Sequence, residues 1–246
     1  MKSRLSILFA FLCAGQILAA DFASDFSAAN ELYAKGDFAG AAAGYEKILH
    51  SGMVSPALLF NYGNAEYKSG NLGKAIAAFR QAELLAPRDS EIRANLGFVR
   101  NQVQAPPVQE SRWRDALGQL TLNEWTCLAA MALWLTFLSL AARQFRPALA
   151  PKLRSATVFL GVLTVFFGAA TGVQAVGHFS QRSAVVISDN ATARSGPFDD
   201  AQNAFTVHDG AELPVLDHYG AWVQVADGPG RIGWLSVKQV KLLPGA

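Results

Sequence analysis

Eight residues in the N-terminal third carry side chains suited to holding another polypeptide: Phe26, Asn30, Tyr33, Phe60, Asn61, Asn64, Tyr67 and Asn95. Phe26, Asn30 and Tyr33 are spaced i, i+4, i+7, and Phe60, Asn64 and Tyr67 repeat that set 34 residues later. At helical spacing each triplet lies on one face. Aromatic rings stack on side chains, and a carboxamide both donates to and accepts from an extended backbone. The competing reading is helix-on-helix packing, which is equally open for Tyr33 and Tyr67.

Catalytic chemistry finds little support. Cys13 and Cys127 both sit in apolar runs, so the polar parts hold no thiol nucleophile, and neither a disulfide framework nor a cysteine metal site is expected. The histidines are His50, His178, His208 and His218. The pairs His208-Asp209 and Asp217-His218 fall near expected turns and lack further ligand spacing, so no metal site is expected. There is no phosphate loop and no nucleophile elbow. A net charge of +2 and the lack of interleaved basic and aromatic residues argue against a nucleic-acid partner. The chain is expected to bind rather than catalyse, without a cofactor.

A repeat positions the eight residues. Asn30, Tyr33, Gly36, Phe38, Ala41 and Tyr45 are matched 34 residues later by Asn64, Tyr67, Gly70, Leu72, Ala75 and Phe79, with Ala29 and Gly63 sharing a small position. The second copy closes with Ala82 and Pro87. This is the period and residue pattern of tetratricopeptide repeats, which pair two helices per unit. Small residues let the helices approach, Tyr45 and Phe79 fill the space between them, and Gly36 and Gly70 stop each first helix in a left-handed conformation. A third first helix, "SEIRANLGFVRN", places Asn95 and Gly97 in phase with Asn61 and Gly63 but has no second helix. The expectation is about two and a half repeats over residues 21–104, with the first helices lining a concave groove and the last helix capping the array. Some tetratricopeptide proteins clamp a C-terminal carboxylate with two asparagines and several basic residues. Asn30 and Asn61 match the asparagines, but Phe26, Glu91 and Asn95 stand where the basic residues belong, so carboxylate capture is not expected.

Of the 246 residues 51% are apolar and 16% charged, the latter well below the roughly 25% of soluble domains. Residues 1–20 read as a secretory signal peptide: Lys2 and Arg4, an apolar run from Leu5, then Ala19 and Ala20. Residues 122–142 and 155–179 are uncharged from Trp125 onward in the first and throughout the second, long enough to span a bilayer as helices. Between them, residues 143–154 hold Arg143, Arg146, Lys152 and Arg154 and no acid, which directs this loop to the cytoplasm. Both flanking polar parts then lie on the periplasmic side of a bacterial inner membrane, in contact with the lipid bilayer through the two spans. Residues 105–121 form a linker in which Pro106 and Pro107 favour an extended chain.

Residues 184–246 change to short β-type runs, "VVIS", "AFTVH", "ELPVLD", "WVQVA" and "RIGWLS", separated by glycine turns. A small all-β barrel is expected. The segment resembles bacterial SH3 (SH3b) domains at Arg194, Pro197, Gly210, Trp222, Gly233 and Trp234. That resemblance implies a binding module, which in cell-wall enzymes attaches to peptidoglycan. Its candidate ligand face is Arg194, Pro197, Trp222 and Trp234, although for Trp222 barrel core is the favoured place, because a small barrel needs bulky filling. The order of signal peptide, repeats, two spans and SH3b segment resembles the BatE family of the Bat (aerotolerance) group. The resemblance implies a non-enzymatic scaffold that assembles with von Willebrand factor A-domain Bat proteins in the envelope, in company with a MoxR-type ATPase and linked to stress tolerance. The alternative is an envelope sensor that holds peptidoglycan.

Overall fold

The computed structural model describes residues 22–103, 116–180, 182–228 and 230–243. The expected signal peptide and the Pro106-Pro107 segment lie outside them.

Five helices open the chain: α1 (22–34), α2 (Phe38–His50), α3 (Pro56–Lys68), α4 (Leu72–Leu85) and α5 (Ser90–Gln102). Their boundaries follow from local chemistry. Asp37 accepts from the Gly40 amide, Ser55 from Leu58 with Pro56 in the first turn, and Asp89 from Glu91 and Ile92. Gly36 and Gly70 follow the first helices with φ of 83° and 86°, which a residue with a Cβ rarely adopts. Tyr45 and Phe79 are each 1% exposed between paired helices. A Cβ on Gly63 would lie 2.8 Å from the Phe79 ring, so only glycine permits this approach of α3 to α4.

Two long helices follow, α6 (Leu122–Phe145) and α7 (Ala150–Ser180), joined by a 3-10 turn at Pro147–Leu149. Both are therefore longer than the apolar runs alone indicate, and most of the basic segment 143–154 is helical. A capping box of Thr121 and Glu124 starts α6. The pair is antiparallel: Ser139 and Thr157 hydroxyls lie 2.7 Å apart, Thr136 and Thr164 3.0 Å, and Gln174 Nε2 donates to the Leu117 carbonyl at 2.8 Å. The threonines also bond back to carbonyls one turn earlier, so no hydroxyl in the seam lacks a partner. Apolar side chains point outward: Trp134 is 67% and Val165 73% exposed. Both helices are long and apolar enough to cross a membrane.

The C-terminal part is one antiparallel sheet of seven strands: β1 (Arg182–Val186), β2 (Asn190–Arg194), β3 (Asn203–His208), β4 (Glu212–Tyr219), β5 (Trp222–Ala226), β6 (Ile232–Ser236) and β7 (Val240–Leu243). Their order across the sheet is β3-β2-β6-β5-β4-β1-β7. Ala184, Val186, Ala191, Ala193, Val207, Leu213, Val223, Val225, Leu235 and Val240 form one core, so the sheet curls around a single apolar face. A closed barrel is not what forms: β3 and β7 are the two edges and do not pair. The β1/β7 edge is turned to α4 instead. Val185 and Leu243, 0% and 2% exposed, enter a cluster with Ala75, Ile76, Phe79, Leu96 and Val99.

This contact also changes the account of the last repeat. Helix α5 ends the helical array, but the sheet covers the surface that a second helix of the third repeat would have covered. The physical reason is that Leu96 and Val99 present an apolar stripe that one lone helix leaves open.

Candidate functional site

The asparagines of the repeats form a ladder between successive first helices. Asn61 Nδ2 on α3 donates to Asn30 Oδ1 on α1 at 3.2 Å, and Asn95 Nδ2 on α5 donates to Asn64 Oδ1 on α3 at 2.8 Å. Asn30 Oδ1 also accepts from the Tyr45 hydroxyl at 2.6 Å, and burial pushes that phenol above its ordinary pKa. These are neutral, half-buried bonds that set the spacing of α1, α3 and α5 side by side. Each pair uses one end of each amide. Oδ1 of Asn61 and of Asn95, and Nδ2 of Asn30 and of Asn64, hydrogen-bond to nothing among the described residues.

The aromatic members divide differently. Phe26 packs on Tyr45 with ring centroids 5.8 Å apart, and Phe60 on Phe79 at 5.9 Å, each within its own helix pair. Tyr33 meets Phe38 edge-on at 5.1 Å. Packing thus accounts for much of these three. Tyr67 instead reaches across to α5, edge-on to Phe98 at 5.7 Å, and its hydroxyl accepts from Gln102 at 3.0 Å. Phe98, which sequence reasoning did not single out, is 54% exposed beside it. The four asparagines, Tyr67 and Phe98 therefore make a continuous, half-exposed strip over α1, α3 and α5. Its chemistry is that of a peptide-holding surface: amide donors and acceptors at intervals, with rings at one end.

A second cluster lies on the outer side of the sheet. Strand alternation turns Val223, Val225 and Leu235 into the core, which leaves Trp222 and Trp234 half-exposed on the opposite face. Trp234 stands directly across from Arg194 on one side and Gln224 on the other. The Arg194 guanidinium sits 6.0 Å from the Trp222 ring centroid and donates to the carbonyls of Asp199 and Ala201. Those bonds pin the turn that carries Pro197, itself half-buried.

A third set of residues, whose joint role the sequence did not announce, joins the repeat helices to the sheet. Glu212 on β4 is 10% exposed at the side chain. It takes a two-bond fork from Arg100 on α5 at 2.6 and 2.8 Å and lies 3.4 Å from Arg80 Nε on α4. Asn71, at the N-cap of α4, makes no side-chain cap bond; the Gly73 amide donates to Asp209 Oδ2 on the β3–β4 turn at 2.9 Å. Helix α4 is thus capped from the other domain. Burial raises the Asp209 carboxyl above its ordinary pKa, against the opposing pull of the Gly73, Gly210 and Leu72 amides. A Cβ on Gly73 would lie 2.0 Å from the Val186 carbonyl oxygen, and one on Gly210 would lie 3.0 Å from both Ile76 and Val103. The sequence signal for this interface was the missing helix: an array that stops on an unpartnered apolar stripe needs a cover.

The histidine–acid pairs have other employment. Asp209 caps α4, His208 Nδ1 lies 3.0 Å from Asn190 Oδ1, and Asp217 accepts from the His218 amide. Among the described residues no three His, Cys, Asp or Glu side chains gather as a metal site would require.

Residues 56–89, which are α3, the turn and α4, match the family model of the tetratricopeptide repeat. No curated protein matches the chain. A helical tetratricopeptide repeat suggests a role in binding other proteins, and the amide strip lies on that repeat and its two neighbours.

Proposed function

We propose that the protein is a non-enzymatic scaffold of the bacterial inner membrane that holds a segment of a partner protein on the strip formed by Asn30, Asn61, Asn64, Tyr67 and Asn95. One observation carries this reading. The amide ladder is only half used within the protein, and the leftover donors and acceptors recur at the spacing of the repeat. The interdomain polar contacts use Gly73, Arg80 and Arg100 and none of the four asparagines. Resemblance to the BatE family makes von Willebrand factor A-domain Bat proteins the partner class, in an envelope complex linked to stress tolerance. The basic turn between α6 and α7 favours a cytoplasmic location for that turn and a periplasmic one for both soluble parts. Direct contact between those parts supports their sharing one side.

The test is co-purification of the full-length protein from mild detergent with its von Willebrand A-type partner. Asn61→Ala with Asn95→Ala removes two unpaired acceptors; capture falls at least tenfold while helical content is kept. Undiminished capture by this variant, and by Asn30→Ala, Asn64→Ala, Tyr33→Ala and Tyr67→Ala combined, sinks the reading.

A second reading is favoured by the outer sheet face, where Trp222, Trp234 and Arg194 lie outside the core. Flat aromatic rings beside a cation suit the sugar faces and acidic stem peptides of peptidoglycan. In this reading the protein is an envelope sensor. Purified sacculi retain the full-length protein, and Trp222→Ala with Trp234→Ala abolishes retention; equal retention of the variant removes this role.

A further inference from the structure

From Trp125 to Ser188 the chain contains no acidic residue, yet Arg143, Arg146, Lys152 and Arg154 gather around the turn between α6 and α7. None of the four forms an ion pair among the described residues. An open groove begins at this turn and runs along α7, lined by Pro151, Arg154, Ser155, Val158, Phe159 and Val162. Its character changes along its length. Arg154 and Ser155 are at the turn end; Val158, Phe159 and Val162 continue it and are 62%, 63% and 61% exposed. From Arg154 to Val162 is about 12 Å of helix, against roughly 15 Å of hydrocarbon in one leaflet.

We propose that this groove holds an anionic phospholipid. The phosphate lies against the Arg154 guanidinium with Ser155 beside it, and one acyl chain runs along Val158, Phe159 and Val162. A cation and a hydroxyl at the head of an apolar strip match a charged headgroup on a hydrocarbon tail. The lack of any carboxylate nearby leaves the cations to an outside anion. The inference rests on α6 and α7 being membrane spans. It differs from general attraction of basic loops to anionic membranes, because in that case the four cations contribute alike, whereas a groove singles out Arg154.

The experiment titrates full-length protein in mild-detergent micelles with phosphatidylglycerol, phosphatidylcholine or inorganic phosphate, reading bound lipid by native mass spectrometry and thermal unfolding in parallel. Phosphatidylglycerol binds saturably and at least about tenfold more tightly than phosphatidylcholine. Arg154→Gln loses about fivefold or more of that affinity, the scale of one basic side chain at an anionic surface. Arg143→Gln, an equal loss of charge outside the groove, changes it less than twofold. Equal losses in the two variants, no preference between the lipids, or full competition by inorganic phosphate each overturn the proposal. Alkaline carbonate extraction of the same protein from membranes separates the two layers of the argument. Release from the membrane removes the spans, whereas retention without a phosphatidylglycerol preference removes only the lipid site.

Discussion

The repeat domain has two working surfaces, and they are built from opposite materials. The docking surface against the sheet combines a doubly paired buried carboxylate, a helix cap supplied by the other domain and an apolar seal. The ladder surface has neutral amides, half-buried and half-satisfied. The difference fits the roles proposed for the two. A permanent contact gains from ionic pairs only when every group is matched, because an unmatched buried charge is costly. A surface that exchanges partners must survive empty, and an unpaired carboxamide in reach of water costs little. The first surface holds the molecule together, and the second is left able to accept something.

The sharpest break of that contrast is Glu212→Ala. It removes the carboxylate that takes the fork from Arg100 and lies beside Arg80, which keeps its bond to Glu83, and loss of one partner of a buried pair costs about 3 kcal/mol. Hydrogen exchange of the full-length protein then shows loss of protection at the Gly73 amide and along β1, with the α1–α3 ladder unchanged.

Gly73→Ala comes next. Alanine favours an isolated helix by up to about 1 kcal/mol, but here its Cβ meets the Val186 carbonyl at 2.0 Å. The interface must open, at a net cost of about 2 kcal/mol. The same exchange measurement reads it, and a stabilised, fully docked variant would mean that the contact is not made.

Asn64→Ala probes the other surface. It removes one neutral, half-buried hydrogen bond, so thermal stability falls by only about 1 kcal/mol and docking is untouched. An effect on stability as large as that of Glu212→Ala would collapse the distinction between the two surfaces.

Gly97→Ala gives the smallest change and the opposite sign. Nothing lies within 4 Å of a Cβ placed there, so helix propensity acts alone and raises stability by about 0.5–1 kcal/mol. Read beside Gly73→Ala by thermal unfolding, it separates a helix glycine that approaches another domain from one that does not.

How much was legible beforehand varied with how local the cause was. The helix pairs followed from a period of 34, small packing positions and the glycines that end each first helix, all encoded within a few residues of where they act. So did the apolar helices and most of the strands, whose turns carry glycine. Strands β2 and β7 were not among the runs singled out: Asn190–Arg194 and Val240–Leu243 are short, and their pairing with β3, β6 and β1 depends on distant partners. Within the candidate site, the asparagines were visible as a repeating pattern. Which end of each amide would be used was not, because that depends on how α1, α3 and α5 lie side by side.

The sequence by itself determined the elements: which segments are helical, which long helices are apolar throughout, where the chain turns, and which polar residues recur in phase. Those outcomes rest on short-range forces, namely caps, backbone conformation and the periodicity of apolar side chains. Only the tertiary structure decided that Asp209 would cap a helix 136 residues away, that Glu212 would join Arg80 and Arg100, and that the edge of a sheet would stand in for a missing helix. Such contacts have no local signature. Each partner is an ordinary residue in its own segment, and its role arises when α6 and α7 fold back on each other and bring the two ends of the chain together.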